Sequence, residues 1–241
     1  VPGTNSVAVA ELTIGLIIAI DRHIAEATAD LRQGVWNKKA YSVAEGLLGR
    51  TLGILGVGEI GLAVAERARG FDMRVIAQRK PGRTPAVEAR IRAAGIRLVD
   101  DLAALLFESD IVSIHVPAGS DTAGLIDREF LDQMKDGAVL INTSRGNVID
   151  EAALVVAMES KGIRAGLDVF ANEPGSGTGE FDSELARHPN VVGTHHVGAS
   201  TRQAQDATSA GTVEVIDAYR RGNLVNCVNM ADDRVGATTI T

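Results

Sequence analysis

The stretch Thr51-Leu-Gly-Ile-Leu-Gly-Val-Gly-Glu-Ile-Gly61 decides the fold of this chain. A short apolar run, Leu52 to Leu55, ends in Gly56-Val-Gly58-Glu59-Ile60-Gly61 and passes into an alanine-rich, helix-prone segment. The order is strand, tight turn, helix, the context in which this glycine spacing carries physical meaning. Gly56 takes the sharp turn out of the strand, and Gly58 lets the backbone approach a pyrophosphate. Gly61 lets the new helix pack closely on the strand it has left. The unpaired N–H groups of the helix's first turn, with its dipole, then form an anion site.

Outward from this stretch, short β-branched runs alternate with helical ones. Strands are expected at Leu52–Leu55, Arg74–Ala77, Ile96–Val99, Ile111–His115, Ala138–Asn142 and Ala165–Val169. Helices are expected at Ile60–Arg69, Ala86–Ala94, Asp101–Phe107, Arg128–Met134 and Glu151–Lys161. Such alternation with short connections predicts an α/β doubly wound parallel sheet. Nearly continuous apolar strands such as Val139-Leu-Ile141 fit a sheet covered on both faces. Before this unit, periodicity predicts one long helix from about Ser6 to Leu31, ending near Gly34, with Gly46 to Gly49 as a connector. After it, Asn172 to Glu180 is a glycine-rich loop. One helix runs from after Arg202 to Arg221, followed by an extended Asn223–Asn229 and a frayed end from Ala231.

Bulk properties narrow the function. The 241 residues are 45% hydrophobic and 23% charged, which suits a globular protein with a sizeable core. A net charge of −7 offers no overall basic footprint, so nucleic acid is not an expected partner. Cys227 is the only cysteine, which excludes an internal disulfide and points to a reducing, cytoplasmic setting. Leu12 to Ile20 is apolar but short and flanked by Glu11 and Asp21, so it reads as a buried helix and not a membrane span. The first residues are Val-Pro-Gly, with no Met, which is the expectation for a fragment or processed piece.

Three polar residues fall at or after strand ends, where ligands bind in such sheets. Arg145 follows Ile141-Asn-Thr143-Ser144, and a guanidinium there can grip a carboxylate with two parallel hydrogen bonds. Glu173 lies in Asp168-Val-Phe-Ala-Asn-Glu-Pro174, and His196 in Thr194-His-His-Val-Gly198-Ala-Ser-Thr201. Each taken singly reads as an ordinary surface arginine, loop carboxylate or structural histidine.

Taken together, they sit inside a longer resemblance. The chain resembles the D-isomer-specific 2-hydroxyacid dehydrogenases over blocks in family order: Asn5–Thr13, Gly34-Val-Trp36, Thr51–Gly61, Ser113-Ile-His115-Val116-Pro117, Met134–Gly146, Gly166–Phe170, Glu173-Pro174 and His196–Thr201. The resemblance implies a Rossmann-type dinucleotide-binding domain with remnants of a substrate domain, divided as residues 1–202 and 203–241. It implies that Arg145 holds the substrate carboxylate, that His196 is the acid–base group with Glu173 as its partner, and that Asp168 lies near the nicotinamide carboxamide. The implied cofactor contacts are Gly56, Gly58, Glu59, Ile60, Gly61, Arg79, Lys80, His115, Val116, Pro117, Thr122, Thr143, Ser144, Asp168 and Gly198. The expected reaction moves hydride between a nicotinamide cofactor and a small 2-hydroxy or 2-keto acid. The family also contains glyoxylate and hydroxypyruvate reductases, and corepressor relatives that use the dinucleotide to assemble with partners.

Three departures accompany the resemblance. The family's usual Pro-His is here His195-His196, and the following Gly-Ala-Ser-Thr aligns His196 with the acid–base position. The end of the second strand, normally acidic in NAD enzymes, reads Ala77-Gln78-Arg79-Lys80 and is followed by Arg83, which favours NADP over NAD. A substrate domain of roughly one hundred residues, a typical small-domain length, would precede this segment in the family. The apolar positions Val7, Ala10, Ile14, Ile17 and Ile18 fit either burial in the chain's own domain or contact with a second subunit; the resemblance implies the second, so a homodimer is expected.

Overall fold

In a computed structural model, described here for residues 1–227, seven parallel strands form one sheet in the order β3-β2-β1-β4-β5-β6-β7. The strands are β1 Thr51–Leu55, β2 Arg74–Gln78, β3 Ile96–Val99, β4 Ile111–Ile114, β5 Val139–Asn142, β6 Arg164–Leu167 and β7 Val191–Gly193. The helices are α1 Ser6–Asp21, α2 Ile24–Arg32, α3 Glu59–Arg69, α4 Pro85–Ala93, α5 Leu102–Glu108, α6 Arg128–Gln133, α7 Glu151–Lys161, α8 Glu184–Arg187 and α9 Arg202–Arg220. Apart from the N-terminal helix, the expected strands and helices are present within a residue or two of their predicted bounds. The additions, β7, α8 and a 3-10 turn at Gly146–Val148, are three or four residues long and too short for a periodic signal.

Side chains alternate across the sheet, as strand geometry requires. Leu140 enters a core under α5, α6, α7 and α8 with Leu105, Phe130 and Leu154. Val139 and Ile141, its neighbours, enter a second core under α1, α3 and α4 with Ile17, Val64 and Ile91. Each such fully buried aliphatic side chain contributes roughly 1.5–3 kcal/mol through loss of apolar surface from water. Strand order reverses direction between β1 and β4, so the crevice at the C-terminal edge opens there.

The expected single helix from Ser6 to Leu31 is two helices. His23 takes a left-handed conformation at φ 53° between α1 and α2, and its Nδ1 accepts from Arg164 of β6 at 3.2 Å. Histidine is among the few non-glycine residues that enter this region readily, so a tertiary contact can hold it there. The apolar face of α1 also behaves differently from expectation. Ala10, Ile14 and Ile17 are buried against this chain's own sheet and α3, and only Val7 stays exposed. The connector is tied down by buried Asp21, which accepts from Gly46 N and pairs with Arg50 at 3.1 Å. The frayed end from Ala231 and the last residues of the extended Asn223–Asn229 lie outside the described residues. Among the described residues, no helix is long and apolar enough to cross a membrane, and no cluster of potential metal ligands occurs.

Candidate active site

Most of the predicted site residues lie just beyond the C-terminal end of a strand, with Thr122 and Glu173 further along the loops after β4 and β6. Gly56 to Gly61 follow β1, Arg79 and Lys80 follow β2, and His115 to Pro117 follow β4. Thr143 to Arg145 follow β5, Asp168 follows β6, and His196 and Gly198 follow β7.

At the β1–α3 turn the glycines do distinct work. Gly56 has φ +103°, and a Cβ there would lie 2.5 Å from the His115 carbonyl oxygen, so only glycine fits between β1 and β4. A Cβ on Gly61 would collide with the Gly56 carbonyl, which lets α3 start hard against the turn. A Cβ on Gly58 would meet nothing within 4 Å, so that side of the turn faces open space. Helices α4, α5, α6, α7, α8 and α9 are capped by the side chains of Thr84, Asp101, Asp127, Asp150, Ser183 and Thr201. Helix α3 begins at Gly58 without a side-chain cap, and the Glu59, Ile60 and Gly61 N–H groups meet no acceptor among the described residues. Open donors beside open space fit the pyrophosphate of a dinucleotide.

Along the edge, the polar residues divide by what already satisfies them. Arg79 lies 3.7 Å from Glu88, and Arg83 donates to the Gln78 carbonyl. Glu59 pairs with Arg90 at 2.7 Å, and that guanidinium holds the Glu59 carboxyl below its ordinary range. His115 Nε2 meets Ser113 Oγ at 2.8 Å while Nδ1 is buried without a partner among the described residues. Burial pushes this imidazole down to about 4, so it is neutral at working pH. Val116 is buried, Pro117 is exposed, and Thr122 donates to the Pro117 carbonyl at 2.7 Å. Thr143 is buried and bonded to Thr13 of α1 at 3.0 Å, so its hydroxyl serves the packing of α1.

The end that carries Arg145, Glu173 and His196 is assembled from three strands. Asn142 is fully buried at the end of β5; its Nδ2 donates to the Arg145 carbonyl, and its Oδ1 accepts from Ser144 N and Oγ. This ties down the loop from which the exposed Arg145 projects. A Cβ on Gly146 would collide with the Phe170 backbone, so the Arg145 loop lies directly on the segment after β6. Asp168 is 2% exposed; Oδ1 accepts from Thr194 Oγ1 at 2.6 Å and Val197 N at 2.8 Å, and Oδ2 from Gly198 N at 2.8 Å. Its carbonyl accepts from His196 N at 2.7 Å. His196 is held at φ 53°, and its Nδ1 meets Glu173 Oε2 at 2.7 Å. Glu173 Oε1 accepts from Phe170 N at 2.8 Å, which aims the carboxylate. A cleft of about 790 Å³ opens beside the pair, lined also by Phe170, Phe181 and His195. The anchoring by Asn142 and by the Asp168 carboxylate is what sequence reading passes over. The available signal was an amide closing an otherwise apolar strand.

The parallel sheet with its switch in strand order and its glycine turn defines a Rossmann-type domain, and comparison with known proteins specifies the family. The chain belongs to the D-isomer specific 2-hydroxyacid dehydrogenases, whose NAD-binding domain matches residues 14–198. It is 39% identical over 241 residues to a D-3-phosphoglycerate dehydrogenase of Methanocaldococcus jannaschii, covering 98% of this chain and 44% of that protein. It is 45% identical over 216 residues to a hydroxypyruvate reductase of Thermotoga maritima, covering 89% and 67%. Among solved structures, an acyclic imino acid reductase in complex with NADPH and D-Arg superimposes with a TM-score of 0.80 at 32% identity, covering 92% of this chain and 68% of that one. The chain thus spans about half to two thirds of the length of these relatives.

Proposed function

We propose that this chain is the cofactor-binding and acid–base part of an oxidoreductase that interconverts a small D-2-hydroxy acid and its 2-keto acid. The observation that carries this reading is the His196–Glu173 pair, placed on the same sheet edge as the uncapped N-terminus of α3. A bound nicotinamide dinucleotide would supply or accept the hydride. His196 would take the hydroxyl proton during oxidation and return it during reduction, while Glu173 fixes its tautomer and stabilises the imidazolium. Arg145 would orient the substrate carboxylate through a two-pronged contact that an ammonium cannot reproduce. Asp168 and Gly198 would border the nicotinamide, with Thr143, Ser144 and His115 to Pro117 along the ribose path and Thr122 beside it.

Residues 1–202 would form the dinucleotide domain and 203–241 the part that returns toward a substrate domain. The turn Gln78-Arg79-Lys80, without a carboxylate of its own, supports NADP over NAD. The D-3-phosphoglycerate dehydrogenase relative supports a phosphoglycerate dehydrogenase-like enzyme, and the hydroxypyruvate reductase relative supports a reductase of that kind as the alternative. A homodimer is supported by exposed Leu31, Val35, Val43 and Trp36, the last 80% exposed. The lone Cys227 supports a reducing, cytoplasmic setting. The test is nicotinamide oxidation, followed by absorbance, with hydroxypyruvate, glyoxylate and 3-phosphohydroxypyruvate against both NADH and NADPH. Turnover of any of these acids supports the enzyme reading. Cofactor binding without turnover in the full-length polypeptide turns the reading toward a nucleotide-sensing scaffold.

A further inference from the structure

Helix α4 places a carboxylate where the sequence turn has none. The register of β1 on β2, Ile54 opposite Ala77, sets Gln78 and Arg79 alongside Leu55 and Gly56. Arg79 is therefore beside the glycine turn, and its N–H donates to Val99 O at 2.7 Å, which fixes the backbone there. Its guanidinium does not stand free. Nη1 lies 3.7 Å from Glu88 Oε1, and the other oxygen of Glu88 accepts from Arg92 at 3.1 Å. Glu88 is the less exposed partner, 22% against 50% for the Arg79 side chain. Its helix is held by the Thr84 cap, by Pro85 in the first turn and by Ile91, which is buried in the core. Two further contacts complete the arrangement. Arg90 of α4 pairs with Glu59 at the head of α3, and Arg83 is committed to the Gln78 carbonyl. Lys80 has no ion-pair partner among the described residues.

We infer that Glu88 sets the cofactor preference of this chain by competing with a 2′-phosphate for Arg79. The inference rests on the reading that the adenosine ribose lies at the end of β2. A 2′-phosphate arriving there brings negative charge to a guanidinium that already has the Glu88 carboxylate 3.7 Å away. The phosphate must displace Glu88 from Arg79 and tolerate it nearby, whereas a ribose diol meets neither cost. Arg79 and Lys80 favour the phosphorylated cofactor, and Glu88 limits how far they do so. A single side chain of α4, ten residues beyond Gln78, thus does the work usually given to a residue on the strand end itself.

The experiment titrates NADPH and NADH by nicotinamide fluorescence against the unaltered chain, Glu88→Gln, Arg79→Ala and the double variant, at low and high salt. Partly exposed pairs of this kind are modest, so Glu88→Gln is expected to tighten NADPH by about threefold to tenfold while NADH changes by less than about twofold. The gain should shrink at high salt and vanish in the Arg79→Ala background. No gain for NADPH, an equal gain for both cofactors, or a gain that persists without Arg79 overturns the role of Glu88. A different outcome overturns the reading beneath it: if Arg79→Ala leaves NADPH affinity unchanged, the 2′-phosphate does not meet Arg79 at all. Circular dichroism of each variant separates these outcomes from unfolding.

Discussion

The two ends of the sheet's C-terminal edge are built on opposite plans. At the β1–α3 turn the backbone donors are unspent, because Gly58 brings no capping side chain and the N–H groups of Glu59, Ile60 and Gly61 meet no acceptor among the described residues. At the β6–β7 end the two carboxylates are spent internally, with Asp168 holding Thr194, Val197 and Gly198 while Glu173 holds Phe170 and His196. The difference fits the proposed function. Gripping an anion needs donors whose partner comes from outside, whereas moving a proton needs a side chain whose position is already determined.

The sharpest way to break this division is His196→Asn. The chemical step is expected to slow by roughly 10²–10⁴, the usual worth of a positioned acid–base group, with dinucleotide affinity changed by less than about twofold. Single-turnover rates and cofactor titration on the same preparation check both halves. His195→Asn is the control and should be mild; if it alone abolishes turnover, the acid–base role belongs one residue earlier.

Next in size is a pH effect on the binding half. His115 titrates at about 4 in the fold against an ordinary value near 6.5, so between those values the unfolded chain binds the extra proton. Its contribution to stability is therefore complete above about pH 6.5 and is lost as pH falls toward 4, at most about 3–4 kcal/mol from the usual 1.36 kcal/mol per pH unit. Denaturant melts across that range should show the slope, and His115→Gln should flatten it. An imidazole NMR midpoint near 6.5 would remove this difference between the halves.

Asp168→Asn tests the anchored end directly. An amide cannot accept on both sides from Val197 N, Gly198 N and Thr194, so at least one buried donor faces an –NH₂ group. Stability should fall by about 2 kcal/mol, with turnover lost through His196 and pyrophosphate binding kept. Loss of cofactor affinity with an unchanged melt would instead assign Asp168 to the ligand.

The smallest expected effect is at the open turn. Gly58→Val places methyl groups in space that is free of protein, so the fold should hold while dinucleotide affinity drops about tenfold, or 1.4 kcal/mol. Gly61→Ala should do the reverse, costing stability because its Cβ meets the Gly56 carbonyl. If both behave alike, the turn is not divided into packing and binding positions.

Legibility followed the range of the forces involved. The strand–turn–helix around Gly56, the alternation behind the parallel sheet and the site residues at strand ends are all local patterns, and all appear where the sequence places them. The break at His23 was not legible, because Arg164 is 141 residues away and only the folded sheet brings it near. The strand Val191–Gly193 was missed because it owes its pairing to β6 and carries too few residues to show a period. The expectation that the face of α1 meets a second subunit gave way for a related reason. An apolar stripe states that it will be buried, but not against what.

From the sequence alone came the class of fold and the glycine turn, since backbone geometry is a property of short segments, while Arg145, Glu173 and His196 were singled out as candidates by the family resemblance. Only the tertiary structure decided that His196 is locked by Asp168 from one side and Glu173 from the other. It also brought Glu88 to the cation that the β2 turn had seemed to leave free. Those pairings join residues tens of positions apart or set on separate elements. Their distances are set by how helices pack on the sheet, which no local pattern encodes.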